Sequence, residues 1–180
     1  MSEHRVIEKL LDVLEIVLSR IESRETINKE FFDTVIDFAR NFIDKCHHGK
    51  EEEALFPLLE ERGVSREGGP IGVMLFEHEL GRDLVKELED AVKRFYGGDQ
   101  EATRDFVSAA REYISLLRQH IAKEDNVLFV IADQVIQEDE DTELIEKFER
   151  IEIERIGPGK HEEYIRRVEE LAEKFLSKHK

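Results

Sequence analysis

Apolar residues return every three or four positions along almost the whole chain, and no stretch alternates apolar with polar as a strand would. That period restricts the molecule to an all-α fold. Val6, Ile7, Leu10, Leu11, Leu14, Val17 and Leu18 make one broad stripe over residues 3–22. A second helix starts near Thr26 or Asn28, either of which suits a cap, and runs toward Arg62, where Gly63 ends it. Pro57 should bend this helix, because it lacks an N–H and crowds the carbonyl one turn back. "GVSREGGP" (63–70) reads as a loop, and Pro70 suits the first turn of a third helix reaching about Tyr96. "GGDQ" (97–100) breaks the chain again, and a fourth helix covers about 100–137. Four long helices with short links predict an antiparallel up-down four-helix bundle over residues 1–137. Residues 138–180 form a helical appendage: the acidic connector "QEDEDTE" (137–143) with Asp141 as a cap, a helix near 142–155, a turn at "GPGK" (157–160) and a last helix into the tail.

A chain of 180 residues suffices for one substantial core. Its 43 acidic against 27 basic residues leave a net charge of −16, which repels nucleic acid and anionic membrane surfaces alike. The single cysteine, Cys46, excludes an internal disulfide framework. No amino-terminal apolar run resembles a signal peptide or spanning helix, so a cytoplasmic protein is expected. High usage of Glu, Lys, Arg and Ile resembles that of thermophile proteins.

The histidines carry an internal repeat. "HHGKEEEALF" (47–56) and "HIAKEDNVLF" (120–129) both read H-x-x-K-E-x-x-x-L-F, 73 residues apart. "EHRVIEKLLDVLE" (3–15) and "EHELGRDLVKELE" (77–89) share Glu, His, Leu, Leu and Glu at an offset of 74. Helices three and four thus repeat helices one and two. With 31 glutamates in the chain, His four before Glu arises easily by chance, and it occurs at His4, His47, His48 and His120. The flanking match selects His47 with Glu51 and His120 with Glu124. Helical phase agrees, since His47 continues the apolar stripe Ile36, Ala39, Ile43, whereas His48 follows Asp37, Asn41 and Lys45. His48, Glu52 and Glu53 are therefore expected to be solvated. By the same test His120, Glu124, His78 and His4 face the core.

Residues i and i+4 share a helix face about 6 Å apart along the axis. Two buried carboxylates demand cations, because an ionised carboxylate in an apolar bundle costs several kcal/mol without one. His4, His47, His78 and His120 with Glu51 and Glu124 suit a pair of divalent ions, two imidazoles to each and the carboxylates bridging. Nitrogen and oxygen donors together favour iron, manganese or zinc over calcium or magnesium.

At these positions the chain resembles the hemerythrin-like, or HHE cation-binding, proteins, whose helices carry H-x-x-x-E before an apolar "LFP" and E-H opening the partner helices. Glu3-His4, His47 to Glu51 with "LFP" (55–57), Glu77-His78, and His120 to Glu124 with "LF" (128–129) carry the likeness over about residues 1–136. The resemblance implies a non-haem di-iron centre whose small ligand is dioxygen, nitric oxide, or a water or oxo bridge. It departs at two points. Met74 stands where oxygen carriers have a further histidine one turn before that of the third helix. Where they use an aspartate five residues after the last histidine, this chain has Asp125 beside Glu124. Loss of one imidazole opens a coordination position, which weighs against reversible oxygen carriage and toward sensing, iron handling or oxidative and nitrosative protection.

Other residues receive plainer readings. Glu8 is expected on the surface, its counterpart in the repeat being Arg82. Glu3 and Glu77 either orient an imidazole or are solvated. Cys46 reads as a packed thiol, Tyr113 as a core aromatic within reach of a bound ligand, and His161 and His179 as surface residues. The Glu-x-x-His pair of ferritin-like oxidases is absent. Reduction of nitric oxide or peroxide stays open as an enzymatic alternative, and a metal-free helical interaction module is the third reading.

Overall fold

The computed structural model describes residues 2–99 and 101–176, so His179 lies outside the described residues. Six helices follow one another there: α1 (Ser2–Glu22), α2 (29–61), α3 (Pro70–Tyr96), α4 (102–135), α5 (Glu138–Ile156) and α6 (Lys160–Leu176). Asn28 is the cap of α2, its side chain accepting from the Glu30 N–H at 3.1 Å. Beyond the end of that helix Gly63 takes φ 86°, a left-handed conformation costly for other residues.

Ion pairs between helices mark the antiparallel order. On α1 and α4, Asp12 meets Arg118 and Glu22 meets Arg111; on α2 and α3, Asp44 meets Arg82 and Arg40 meets Glu89. The four helices enclose a core containing Leu10, Leu14, Phe42, Leu88 and Leu117. A second apolar cluster, with Leu55, Leu59, Ile71, Met74 and Leu128, closes the opposite end. On α2 and α3 the polar residues of the repeat, and on α4 Glu124, fall between these two clusters in the chain, so they sit in the axis of the bundle under apolar cover.

The backbone is not α-helical throughout. Helix α2 widens to π-helix over Ala39–His48 and again over Glu51–Leu55, and α4 widens over Glu124–Leu128. The second and third segments match across the repeat: Phe56 N–H reaches back to Glu51 O, and Phe129 N–H to Glu124 O. Both widenings begin at the glutamate of H-x-x-x-E. Pro57 does not cause them, since α4 has Val130 in its place; the proline lies at the start of the α segment that follows the widening.

The carboxy-terminal pair packs on the first hairpin. Leu144 and Ile151 of α5 join the second cluster, and Tyr164, Val168 and Phe175 of α6 join the main core. Helix α5 starts earlier than the sequence suggested. Gln137 caps it, its backbone N–H donating to Glu140 Oε2 at 3.0 Å, so Asp141 lies inside the helix. The stronger reason is reciprocal: Gln137 and Glu140 form a capping box, which satisfies two end donors at once.

Candidate metal centre

Each helix of the bundle brings an imidazole of the repeat inward. His4, His47, His78 and His120 are buried, and so are Glu51 and Glu124. One ligand atom from each of His4, His47, Glu51 and Glu124 lies within 4.8 Å of the others, and Glu51, His78, His120 and Glu124 make a second such group. The two carboxylates belong to both. Glu124 approaches His4 Nε2 and His120 Nε2 at 3.1 Å each; Glu51 stands 3.4 Å from His78 Nε2 and 3.8 Å from His47 Nε2. All six residues singled out in the sequence thus meet in one place.

Of their inward atoms, only Nε2 of His78 and Nε2 of His120 form a hydrogen bond with one another, at 3.2 Å. Nε2 of His4, Nε2 of His47 and all four oxygens of Glu51 and Glu124 are buried without a hydrogen-bond partner. Burial and the facing Glu124 carboxylate push Glu51 well above the ordinary carboxylate range. Burial acts upward on Glu124 too, but His120 and His4 beside it hold it well below that range. For His120, burial opposes the charged ring, yet Glu124 and Glu77 carry it up to about 10. Without an ion, protons must neutralise this cavity. The donor types and the orphaned atoms both fit a pair of divalent transition ions.

Outside this set lies a layer that holds each ring by its other nitrogen. His4 Nδ1 donates to Asp125 Oδ1 at 2.7 Å, His47 Nδ1 to Glu3 Oε2 at 2.9 Å, His78 Nδ1 to Glu52 Oε1 at 2.7 Å, and His120 Nδ1 to Glu77 Oε2 at 2.9 Å. Such bonds fix the tautomer and aim the Nε2 lone pair inward. Each carboxylate is itself paired: Glu3 with Lys50, Glu77 with Lys123, Glu52 with Arg82, Asp125 with Arg5. For Glu3, burial raises the carboxyl, but His161, His47 and Lys50 hold it well below its usual range.

The layer follows the repeat. Glu3 and Glu77 orient histidines, each that of the following helix in its hairpin. Arg5–Glu8 on α1 and Glu79–Arg82 on α3 are the same pair with its charges exchanged, which leaves an arginine beside each acidic partner and Glu8 at the surface. Glu52 and Asp125 were not foreseen as histidine partners, although the repeat signals them: "KEE" (50–52) over "KED" (123–125) places an acid after each inward glutamate.

Three expectations need correction. His48 is buried, not solvated, and its ring stacks on that of His78 with centroids 3.8 Å apart. The phase count assumed 3.6 residues per turn, whereas Ala39–His48 is wound with the wider i→i+5 spacing, which turns His48 toward the axis. One ligand atom of His48 lies within 4.8 Å of others from His78 and His120. Burial and the neighbouring imidazoles lower its affinity for a proton, so the ring stays neutral. His161 is not a free surface group either: its Nε2 donates to Glu3 Oε1 at 2.9 Å. Glu52, expected in solvent, is half-buried against His78, while Glu53 remains exposed and pairs with Arg155.

Tyr113 and Cys46 are core residues. Tyr113 also lines a cavity of about 170 Å³ together with His48, Asp44, Gly81 and Arg82. Cys46 is fully buried, and burial pushes its thiol up to about 12.

No helix among the described residues is long and apolar enough to cross a membrane. An uncharacterized protein, Rv1995, of Mycobacterium tuberculosis is 25% identical over 171 residues, covering 95% of this chain and 66% of its own length. The iron-sulfur cluster repair protein YtfE of Salmonella typhimurium is 35% identical over 86 residues, covering 46% of this chain and 39% of its own; the Escherichia coli protein of the same name is 32% identical over 85 residues with the same coverage. The chain therefore spans only part of these relatives. No solved structure matches it. The sequence pattern described as the hemerythrin HHE cation binding domain matches residues 1–132, the whole stretch that supplies the inward histidines and glutamates. The chain belongs to the hemerythrin HHE cation-binding family.

Proposed function

We propose that this protein holds two iron ions, with manganese or zinc as possible occupants, and binds a diatomic ligand, dioxygen or nitric oxide, for sensing, iron handling or oxidative and nitrosative protection. His4 and His47 would hold one ion, His78 and His120 the other, and Glu51 and Glu124 would bridge them. The observation that carries this reading is the set of buried inward atoms on His4, His47, Glu51 and Glu124 that find no partner within the protein. Iron bound there would supply reversible redox change and open positions for a small ligand.

The chain's own residues account for the rest. Asp125, Glu3, Glu52 and Glu77 keep the Nδ1–H bonds that leave Nε2 free to donate its lone pair. Apolar clusters on either side keep bulk water away. With Met74 in the second cluster, no ring comes from that turn of α3, and His48 of α2 stacks on the His78 ring instead. The cavity between His48 and Tyr113 offers a small ligand a way in, with the Tyr113 hydroxyl as a donor.

Glu51→Ala combined with Glu124→Ala tests the assignment. The double variant is expected to fold, by helical circular dichroism, and to lose the dinuclear site in metal analysis after iron-supplemented expression. Unchanged metal content would show that other carboxylates bind. An enzymatic role in reducing nitric oxide or peroxide is the second reading, favoured by the partial likeness to an iron-sulfur cluster repair protein. Anaerobic reduction followed by either gas separates the two: a reversible spectrum supports ligand binding, and turnover supports the enzyme.

A further inference from the structure

The two hairpins match around the centre until the outermost layer. In the second, Glu77 holds His120 and is paired with Lys123, and among the described residues nothing else joins them. In the first, Glu3 holds His47 and is paired with Lys50, and two more groups arrive from outside the bundle. His161 of α6 donates to Glu3 Oε1 at 2.9 Å, and Glu152 of α5 accepts from Lys50 Nζ at 2.7 Å. Lys50 Nζ reaches Glu3 Oε1 at the same 2.7 Å. Glu3, Glu152 and His161 lie close enough to resemble a third cation site, but the Lys50 ammonium already bonds both carboxylates. The cluster's role is mechanical. With Oε1 held by Lys50 and His161, the Glu3 carboxylate is fixed in the orientation that presents Oε2 to His47 Nδ1. The His161 ring is itself fixed, stacked on Phe42 with centroids 5.1 Å apart.

Building on the two-ion reading, we infer that His161 is a positioning residue for the ion held by His4 and His47, and that through it the carboxy-terminal helix pair tunes that ion separately from the other. The physical reason is leverage on a ligand. Removing an outer partner of a metal-bound histidine typically costs about 10–100-fold in metal affinity. His161 acts through one further bond, so an effect near the lower end, about 10-fold, is expected.

The experiment uses the full chain and its variants His161→Ala, His161→Gln, Glu3→Gln and Val168→Ala. Val168 is buried in the main core on α6, so truncating it loosens the helix without touching the hydrogen bond. Iron(II) affinity is measured by chelator competition, and the two ions are resolved by Mössbauer spectroscopy of the iron-57-loaded protein. In His161→Ala, one of two equivalents should weaken about 10-fold and one of two spectral components should shift, as in Glu3→Gln. His161→Gln, whose amide can still donate, should restore both. Val168→Ala should lower the melting temperature and leave the two components in place. The inference is overturned if His161→Ala changes neither ion, weakens both alike, or is reproduced by Val168→Ala. A wild-type chain that takes up no iron would overturn the two-ion reading and this inference together; two tight ions indifferent to His161 would overturn the inference alone.

Discussion

Adjacent residues on α2 show how little local sequence separates a candidate ligand from its neighbours. His47, His48 and Glu51 are all buried, yet His47 has a carboxylate on its outer nitrogen, whereas His48 has Nδ1 buried with no hydrogen bond. The repeat singled out His47 because its flanks recur around His120. It could not report on His48, whose counterpart is Ile121. Cys46, one residue earlier, is the opposite case, a chemically capable group made inert by its surroundings. With the thiol pushed up to about 12, the thiolate fraction remains small from neutral pH to about pH 9. Native protein should therefore resist alkylation by iodoacetamide over that range, while guanidinium-unfolded protein reacts, as read by mass spectrometry. Rapid modification of the folded chain would show that the segment opens.

At the scale of elements, caps and breaks were legible because they depend on a few residues. Asn28 caps α2 through its own side chain, so Asn28→Ala should lower stability by about 1 kcal/mol in urea unfolding, with the midpoint shifting and the slope unchanged. No measurable change would mean that the helix start is held by packing alone. The π-helical stretches were not legible. Nothing in residues 39–48 departs from ordinary helix chemistry, so no residue there signals the i→i+5 bonds. Two of the three begin at Glu51 and Glu124, and π-helical turns are often found at functional sites. Gln137 was passed over for Asp141 as a cap because the acid is the commoner choice, but the capping box with Glu140 gives the earlier start two bonds.

For the whole molecule, a centre whose buried charge awaits cations should couple metal to stability. Each ion that binds only the folded chain adds about 2.7 kcal/mol at a free concentration 100 times its Kd. For a chain of this size that corresponds to a rise in melting temperature of roughly 5–10 °C. Calorimetry of iron-loaded and chelator-stripped protein should show this difference, and equal melting temperatures would argue against a buried site.

The amino-acid sequence determined the helices, the duplicated hairpin and the four inward histidines with their two glutamates. Those depend on spacing within a helix and on a pattern that recurs 73 or 74 residues on. Tertiary structure alone decided what stands behind each ring. Glu52, Asp125 and His161 gain their roles from a partner on another helix, and His48 turns inward through a change in winding. The reason is that hydrogen bonds and buried charge are balanced between elements, across distances of a few ångströms that separate residues as much as 158 positions apart in the chain.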